Sequence, residues 1–251
     1  MVVKIRIITV NLCLECSDNK DTASDKAIQL LASMKGDVLI MQETEGYTLE
    51  RIAAGLNMQV LRDNQREHTC VMINPAVLIK LDSYHVCTLR QRDPIYIGGV
   101  HLTDIPSVVH HMNGLVYHSD ITLPINIPMD KIIQLCRTNR MPRLRRETSR
   151  AGNSSKAIIA GDFNEPSHLD LPGVDVPCSA WMLRSGFVDT YKHMHPTGKG
   201  YTWPNNGLYH NEPNQRVDFI YTRNLDITHS YVSSKGSSDH KMVVSEVMLP
   251  A

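Results

Sequence analysis

The sequence has no excess of either charge: 26 Lys and Arg stand against 26 Asp and Glu in 251 residues, with a pI near 7.2. That excludes a protein that coats nucleic acid through bulk charge, while leaving room for a local basic patch. No apolar run approaches a membrane span, and the N-terminal MVVKIRIITVNLC alternates like a strand where a signal peptide would carry an apolar block. Stable membrane insertion is therefore not expected; a cytoplasmic location is, or a secreted one if a leader has been removed. The six cysteines (Cys13, Cys16, Cys70, Cys87, Cys136, Cys178) lack the pair-of-pairs spacing of a zinc site. Cys13 and Cys16 form the one C-x-x-C, which without a second pair reads as reduced thiols. His110, His111, His118, His193 and His195 have no His-x-x-x-His spacing, so they read as surface or pocket-lining residues. Neither a repeat nor a low-complexity linker divides the chain. A single domain over residues 1–251 is expected, long enough to bury about three quarters of its unfolded surface.

What the chain does contain is a series of short apolar runs bounded by turn residues. Residues 4–11 are β-branched and strand-like, and 37–41 is a continuous apolar run of the kind found in strands buried on both faces. Between them Ala27, Leu30, Leu31 and Met34 recur at helical spacing, predicting a helix capped by Thr22 or Ser24 and ended by Gly36. Leu49, Ile52, Ala53 and Leu56 repeat that spacing. Strands are predicted near 69–74, 77–81, 84–89 and 95–101, followed by an irregular His-, Pro- and Asn-rich stretch over 102–128. A basic helix over 129–150, a strand over 156–160, a short helix near 180–185 and strands over 216–222, 227–233 and 242–249 complete the series. Strands in runs with a few helices between them predict an α+β chain, an α/β sandwich of two packed β-sheets flanked by helices in four layers.

Polar side chains recur at the ends of these strands. Asn11 closes the first, Gln42-Glu43 closes VLIM, and His101 closes IYIGGV. Asp162 and Asn164 follow IIAG, Asp218 lies inside RVDFIY, and Asp239-His240 precedes MVVSEV. One such Asp is ordinarily a turn former. Six in series suggest side chains that converge from rigid strand ends. Gly161 is expected to let the backbone turn close to a ligand, with Asp162 and Asn164 on one side and Phe163 facing the core.

The series Asn11, Gln42-Glu43, His101-Leu102, Gly161-Asp162-Phe163-Asn164, Arg216-Val217-Asp218-Phe219-Ile220 and Ser238-Asp239-His240 resembles the endonuclease/exonuclease/phosphatase superfamily. Pancreatic-type deoxyribonucleases, apurinic endonucleases, inositol polyphosphate 5-phosphatases and neutral sphingomyelinases belong to it. The resemblance spans residues 4–249 with all motifs in family order, and the longer GDFNEPSHLD is similar to a bacterial-type branch. It implies a divalent-metal-dependent phosphoesterase that hydrolyses a phosphodiester by in-line attack of water. A nuclease is favoured over a small-molecule or lipid-headgroup phosphoesterase. The implied cofactor is Mg²⁺ or Mn²⁺, and the implied partner is a phosphoester substrate, nucleic acid among the options; no protein partner is indicated.

In-line hydrolysis needs a cation against phosphate charge, a base for the attacking water, and donors for the equatorial oxygens. The resemblance assigns Glu43 to the metal as a hard anionic ligand, with Asn11 and Asp239 as further metal-side residues. It makes His240 the general base, Asp218 the group that sets its tautomer, and Asp162 the residue that positions water. Asn164 and His101 would donate to phosphate oxygens. An inactive binding module on the same scaffold would be expected to lose the metal carboxylate or the final Asp-His pair, and this chain has both. Two features stay open. The run Arg137, Arg140, Arg143, Arg145, Arg146, Arg150 and Lys156 reads either as a phosphate track or as a solvated helix face with Arg140 or Arg143 tied to a carboxylate. Trp203 in YTWP either stacks a base or sugar or caps the core edge.

Overall fold

The computed structural model describes residues 3–13, 19–44, 46–64, 68–81, 86–89, 94–102, 128–205, 214–233 and 238–249. Cys16 and most of the stretch over 102–128 lie outside them. Two six-stranded sheets pack face to face. The first contains β1 (Val3–Asn11), β2 (Val38–Gln42), β3 (Gln59–Asn64), β4 (Thr69–Ile73), β11 (Asp226–Val232) and β12 (Val243–Leu249), in the order β11-β12-β1-β2-β4-β3. The second contains β5 (Leu78–Leu81), β6 (Val86–Leu89), β7 (Pro94–His101), β8 (Lys156–Asp162), β9 (Val188–Asp189) and β10 (Asp218–Arg223), in the order β5-β6-β7-β8-β10-β9. β1 with β2 and β7 with β8 are parallel; the other ladders are antiparallel.

Period-two alternation decides what each strand buries. Ile5 and Ile7 of β1, Val38 and Ile40 of β2, and Val71 and Ile73 of β4 face the second sheet, where Ile95, Ile97, Ile158, Ala160 and Ile220 meet them. The intervening residues (Ile8, Val10, Leu39, Met41, Met72) face outward and are covered by α1 (Lys20–Met34) and α2 (Gly46–Leu56). On the opposite side α3 (Met129–Asn139), α4 (Met141–Arg150) and α5 (Pro177–Arg184) flank the second sheet; Met141, Leu144, Cys178 and Met182 of α4 and α5 join Tyr96, Ile159, Phe219 and Tyr221. The result is the expected four-layer sandwich. Among the described residues, no helix is long and apolar enough to cross a membrane.

Several boundaries differ from expectation for identifiable reasons. α1 is capped by Asn19, whose side chain accepts the Thr22 N–H at 3.0 Å, and Ser24 sits inside it, bonded to the Lys20 carbonyl. The left-handed residue that ends α1 is Lys35 rather than Gly36. The basic helix is two helices, because Arg140 breaks the run just ahead of Pro142, which cannot donate a helical hydrogen bond. β3, β9 and the short α6 (Thr190–Met194) carry no apolar periodicity strong enough to announce them.

Two glycines shape the C-terminal end of β7 and β8. Gly99 faces the first sheet, and a Cβ there would come within 3.2 Å of Ile40, tighter than usual packing allows. Its bare backbone lets the sheets close up two residues before His101. Gly161 holds φ near +146, and a Cβ there would collide with the Val100 carbonyl of the adjacent strand. The neighbouring strand by itself therefore requires a glycine here. Gly161→Ala is predicted to cost about 2 kcal/mol or more, read as a lower urea midpoint with an unchanged m-value.

Candidate active site

The alternation that builds the inter-sheet core continues to the strand ends, where the inner residues turn polar. In β1 the inner series Ile5, Ile7 runs on to Thr9 and Asn11; in β2, Val38 and Ile40 run on to Gln42. In the second sheet Ile97 and Gly99 lead to His101, Ile158 and Ala160 to Asp162, and Ile220 back to Asp218. Ladder register then sets His101, Asp162 and Asp218 side by side on three adjacent strands. Asn11 pairs with Gln42 in the first sheet. Glu43 comes next at φ near +53, its N–H bonded to the His68 carbonyl.

The two rows meet across the open end of the sandwich. Asn11 Nδ2 donates to Glu43 Oε1 at 2.7 Å and to Asp162 Oδ2 at 3.2 Å. His101 Nε2 lies 3.4 Å from Glu43 Oε1 and 3.8 Å from Asp162 Oδ2. His240 Nδ1 contacts Asp218 Oδ2 at 2.9 Å, and its Nε2 faces Asp162 Oδ2 at 3.9 Å. This geometry fixes a ring proton on Nδ1, so Nε2 is an acceptor only when the ring is neutral. Asn164, also at positive φ, donates its backbone N–H to Asp162 Oδ1 at 2.7 Å and its Nδ2 to the Leu102 carbonyl at 3.0 Å. Phe163 between them is buried against Phe219 and Tyr221.

Electrostatics divide the site into an anionic and a cationic part. Burial pushes the Glu43 carboxyl up, but hydrogen bonds from His101 and Asn11 and the positive charges of His101 and His240 outweigh it and hold it at about 2. Burial disfavours charged His240, yet Asp218 and Asp162 flank the ring and raise its pKa well above the usual imidazole value. Burial likewise opposes charge on His101, and Glu43 and Asp162 more than compensate, raising it against Arg143. Asp162 is raised, by burial first and by Asp218 second, despite both histidines.

Two groups of carboxylate and imidazole atoms, Glu43 with His101 and Asp162, and Asp162 with Asp218 and His240, each lie within 4.8 Å of one another and form possible cation sites. Asp239 is not in either group: its carboxylate accepts from Trp203 Nε1 at 3.3 Å and from Ser238 Oγ at 3.0 Å. Asn11 presents its nitrogen to the carboxylates, while its oxygen accepts the Cys13 N–H at 3.0 Å. His68, which sequence reasoning did not single out, stands edge-on to His101 with ring centroids 6.2 Å apart. Its place immediately before β4, beside the Glu43 end of β2, was the available signal. Trp203 is buried and Tyr201 exposed, so the indole closes the core edge instead of offering a stacking face.

The basic run is largely committed to carboxylates and an aromatic ring. Arg137 pairs with Asp175, Arg150 with Glu147 at 3.1 Å, and Arg145 lies over Trp181. Arg140 is fully buried, 3.6 Å from the equally buried Glu165 next to Asn164.

Comparisons with known proteins bear on the whole chain. A humanized D. rerio TDP2 carrying 14 mutations superposes with a TM-score of 0.67 at 15% identity, covering 97% of this chain and 98% of that one. TDP2 from C. elegans gives 0.63 at 14% identity over 98% of this chain and 75% of that one. D. rerio TDP2 complexed with a single strand DNA product gives 0.64 at 15% over 97% and 98%. At such identities the likeness establishes the fold. A comparison with curated protein sequences finds no match. The sequence model of the Endonuclease/Exonuclease/phosphatase family matches residues 8–240, from the strand that carries Asn11 to His240 itself, and the chain accordingly belongs to that family of phosphoester hydrolases.

Proposed function

We propose that the protein is a divalent-metal-dependent phosphodiesterase acting by in-line attack of water. One observation carries the reading: His240 is tethered through Nδ1 to Asp218 at 2.9 Å and turns Nε2 toward Asp162, beside an anionic Glu43. Nε2 takes the proton of the attacking water, and Asp218 holds the tautomer and stabilises the imidazolium. Asp162, kept in place by the Asn164 N–H, orients that water. His101, its pKa raised, donates to a phosphate oxygen, as does the second Nδ2 hydrogen of Asn164, the first being committed to Leu102.

The donor set fits Mg²⁺ or Mn²⁺, because hard carboxylate oxygens dominate it and no thiolate takes part. Glu43 and Asp162 would hold the ion, which supplies electrophilic stabilisation of phosphate charge. Asn11 and Asp239 would contribute from the side, Asn11 only after its amide turns and Asp239 only after releasing Trp203 or Ser238.

A nuclease is the favoured substrate reading, supported by the similarity to a TDP2 that holds a single strand DNA product. The pairing of Arg137, Arg140 and Arg150 with carboxylates favours the second reading, a small-molecule or lipid-headgroup phosphoester, since it leaves less of the basic run for a polyanion. Assays of single- and double-stranded nucleic acid and small phosphodiesters, with magnesium, manganese and chelator, separate the two. Activity that survives chelator would overturn the metal-dependent reading.

Three outcomes are expected. Glu43→Gln lowers turnover by about 10²-fold or more and weakens metal binding while circular dichroism stays unchanged; wild-type activity at limiting magnesium would remove Glu43 from the site. The rate climbs with pH through one ionisation, because only the neutral ring accepts a proton, and His240→Ala abolishes that limb; Asp218→Asn costs up to about 10⁴-fold. The third concerns stability without metal. A histidine whose folded pKa is raised stabilises the fold fully below its unfolded value of about 6.5 and loses that contribution as pH rises through the folded pKa. The melting temperature of chelator-treated protein should fall across that window, and more steeply than in His240→Ala.

A further inference from the structure

The dyad at the centre of this site is split between layers. Asp218 opens β10 in the second sheet, whereas His240 stands three residues ahead of the first residue of β12 in the first. Their 2.9 Å contact must therefore be maintained across the gap between sheets. β9 reaches only Tyr221 and Thr222 of β10 and gives no support at Asp218.

Thr202 supplies the missing tie. It is fully buried, and its hydroxyl oxygen accepts the N–H of Val217 at 3.1 Å and of Asp218 at 3.2 Å. Its carbonyl accepts the N–H of Lys241, the residue after His240, at 2.8 Å. Its own N–H goes to the Gln215 carbonyl at 2.8 Å. One residue thus grips the backbone on both sides of the dyad. The residues after it secure the same loop: Trp203 Nε1 donates to Asp239, the Asn205 N–H to the Asp239 carbonyl at 2.6 Å, and Asn205 Nδ2 to the Ser238 carbonyl at 3.0 Å.

We propose that Thr202 is a positioning residue that sets the separation of the Asp218 carboxylate from the His240 ring by bonding to the backbone of both segments. The proposal rests on the reading of that pair as general base and partner. Thr202→Val is nearly isosteric but leaves two buried N–H groups without their acceptor, while Thr202→Ser keeps the oxygen. A purely structural role would lower the melting temperature of Thr202→Val and leave the dyad of the folded molecules intact.

The test combines a spectroscopic and a kinetic measurement on the full chain. The far-downfield proton resonance of His240 Nδ1–H, assigned by its loss in His240→Ala and Asp218→Asn, reports the dyad without substrate or metal. It should vanish or move upfield in Thr202→Val and return in Thr202→Ser. On the best phosphodiester found, Thr202→Val should lower kcat about 10- to 100-fold with KM nearly constant, the scale of a displacement near 1 Å, and Thr202→Ser should restore most of it. An unmoved resonance in folded Thr202→Val overturns the proposal whatever the activity. A resonance lost at unchanged kcat upholds the tie and instead refutes His240 as the base. Should Thr202→Val fail to fold, Thr202→Cys, a weak acceptor, gives the same comparison.

Discussion

Contact between the inner faces of the two sheets is the constraint that creates the site. Ile5, Ile7, Ile40, Val71, Ile97 and Ile158 are almost completely buried there, and each aliphatic side chain of this kind contributes about 1.5–3 kcal/mol on leaving water. Alternation then removes any freedom at the strand ends: once Ile158 and Ala160 face the other sheet, Asp162 must as well. The same rule aims Asn11, His101 and Asp218 into the gap. The polar ends are costly to bury singly and become tolerable together, because each carboxylate meets an imidazole or an amide.

Buried charge beside the candidate site holds the loops that flank it. Arg216, two residues before Asp218, lies over the Phe219 ring and is bonded to Asp170 and Asp189, tying the loop after the Asp162 motif to β9. Arg140 and Glu165 do the same between the break in the basic segment and the residue after Asn164, where Glu165 also accepts the Cys178 N–H. Such pairs add little net stability over an apolar filling, yet removing one partner is severe. Their positions beside the two motifs suit a role in fixing loop geometry.

Much of this is legible in the sequence, because it depends on period and order. Continuous apolar runs mark the strands, and the side chain closing each run marks the place where the sheets meet. Features that depend on a partner far along the chain are not legible. Arg140 looks like any basic helix residue until Glu165 is beside it. Thr202 sits unremarked between two aromatic residues, and the aromatics suggest stacking surfaces while the hydroxyl between them holds Asp218. Asn19 outcompetes Thr22 and Ser24 as a cap because its side chain reaches the Thr22 N–H. Sequence alone offers a ligand as the reason for Gly161, and gives no sign of the carbonyl on the neighbouring strand that also requires it.

The strand order of the first sheet ties the site to a central strand. β12 does not lie at an edge; it is inserted between β11 and β1, against the strand that carries Asn11. His240 lies just ahead of that inserted strand, so its place beside Asp218 depends on β12 being seated in register with both of its neighbours. A slip of β12 by one residue would turn every side chain of the strand to the other face, and would draw the ring away from the carboxylate with it.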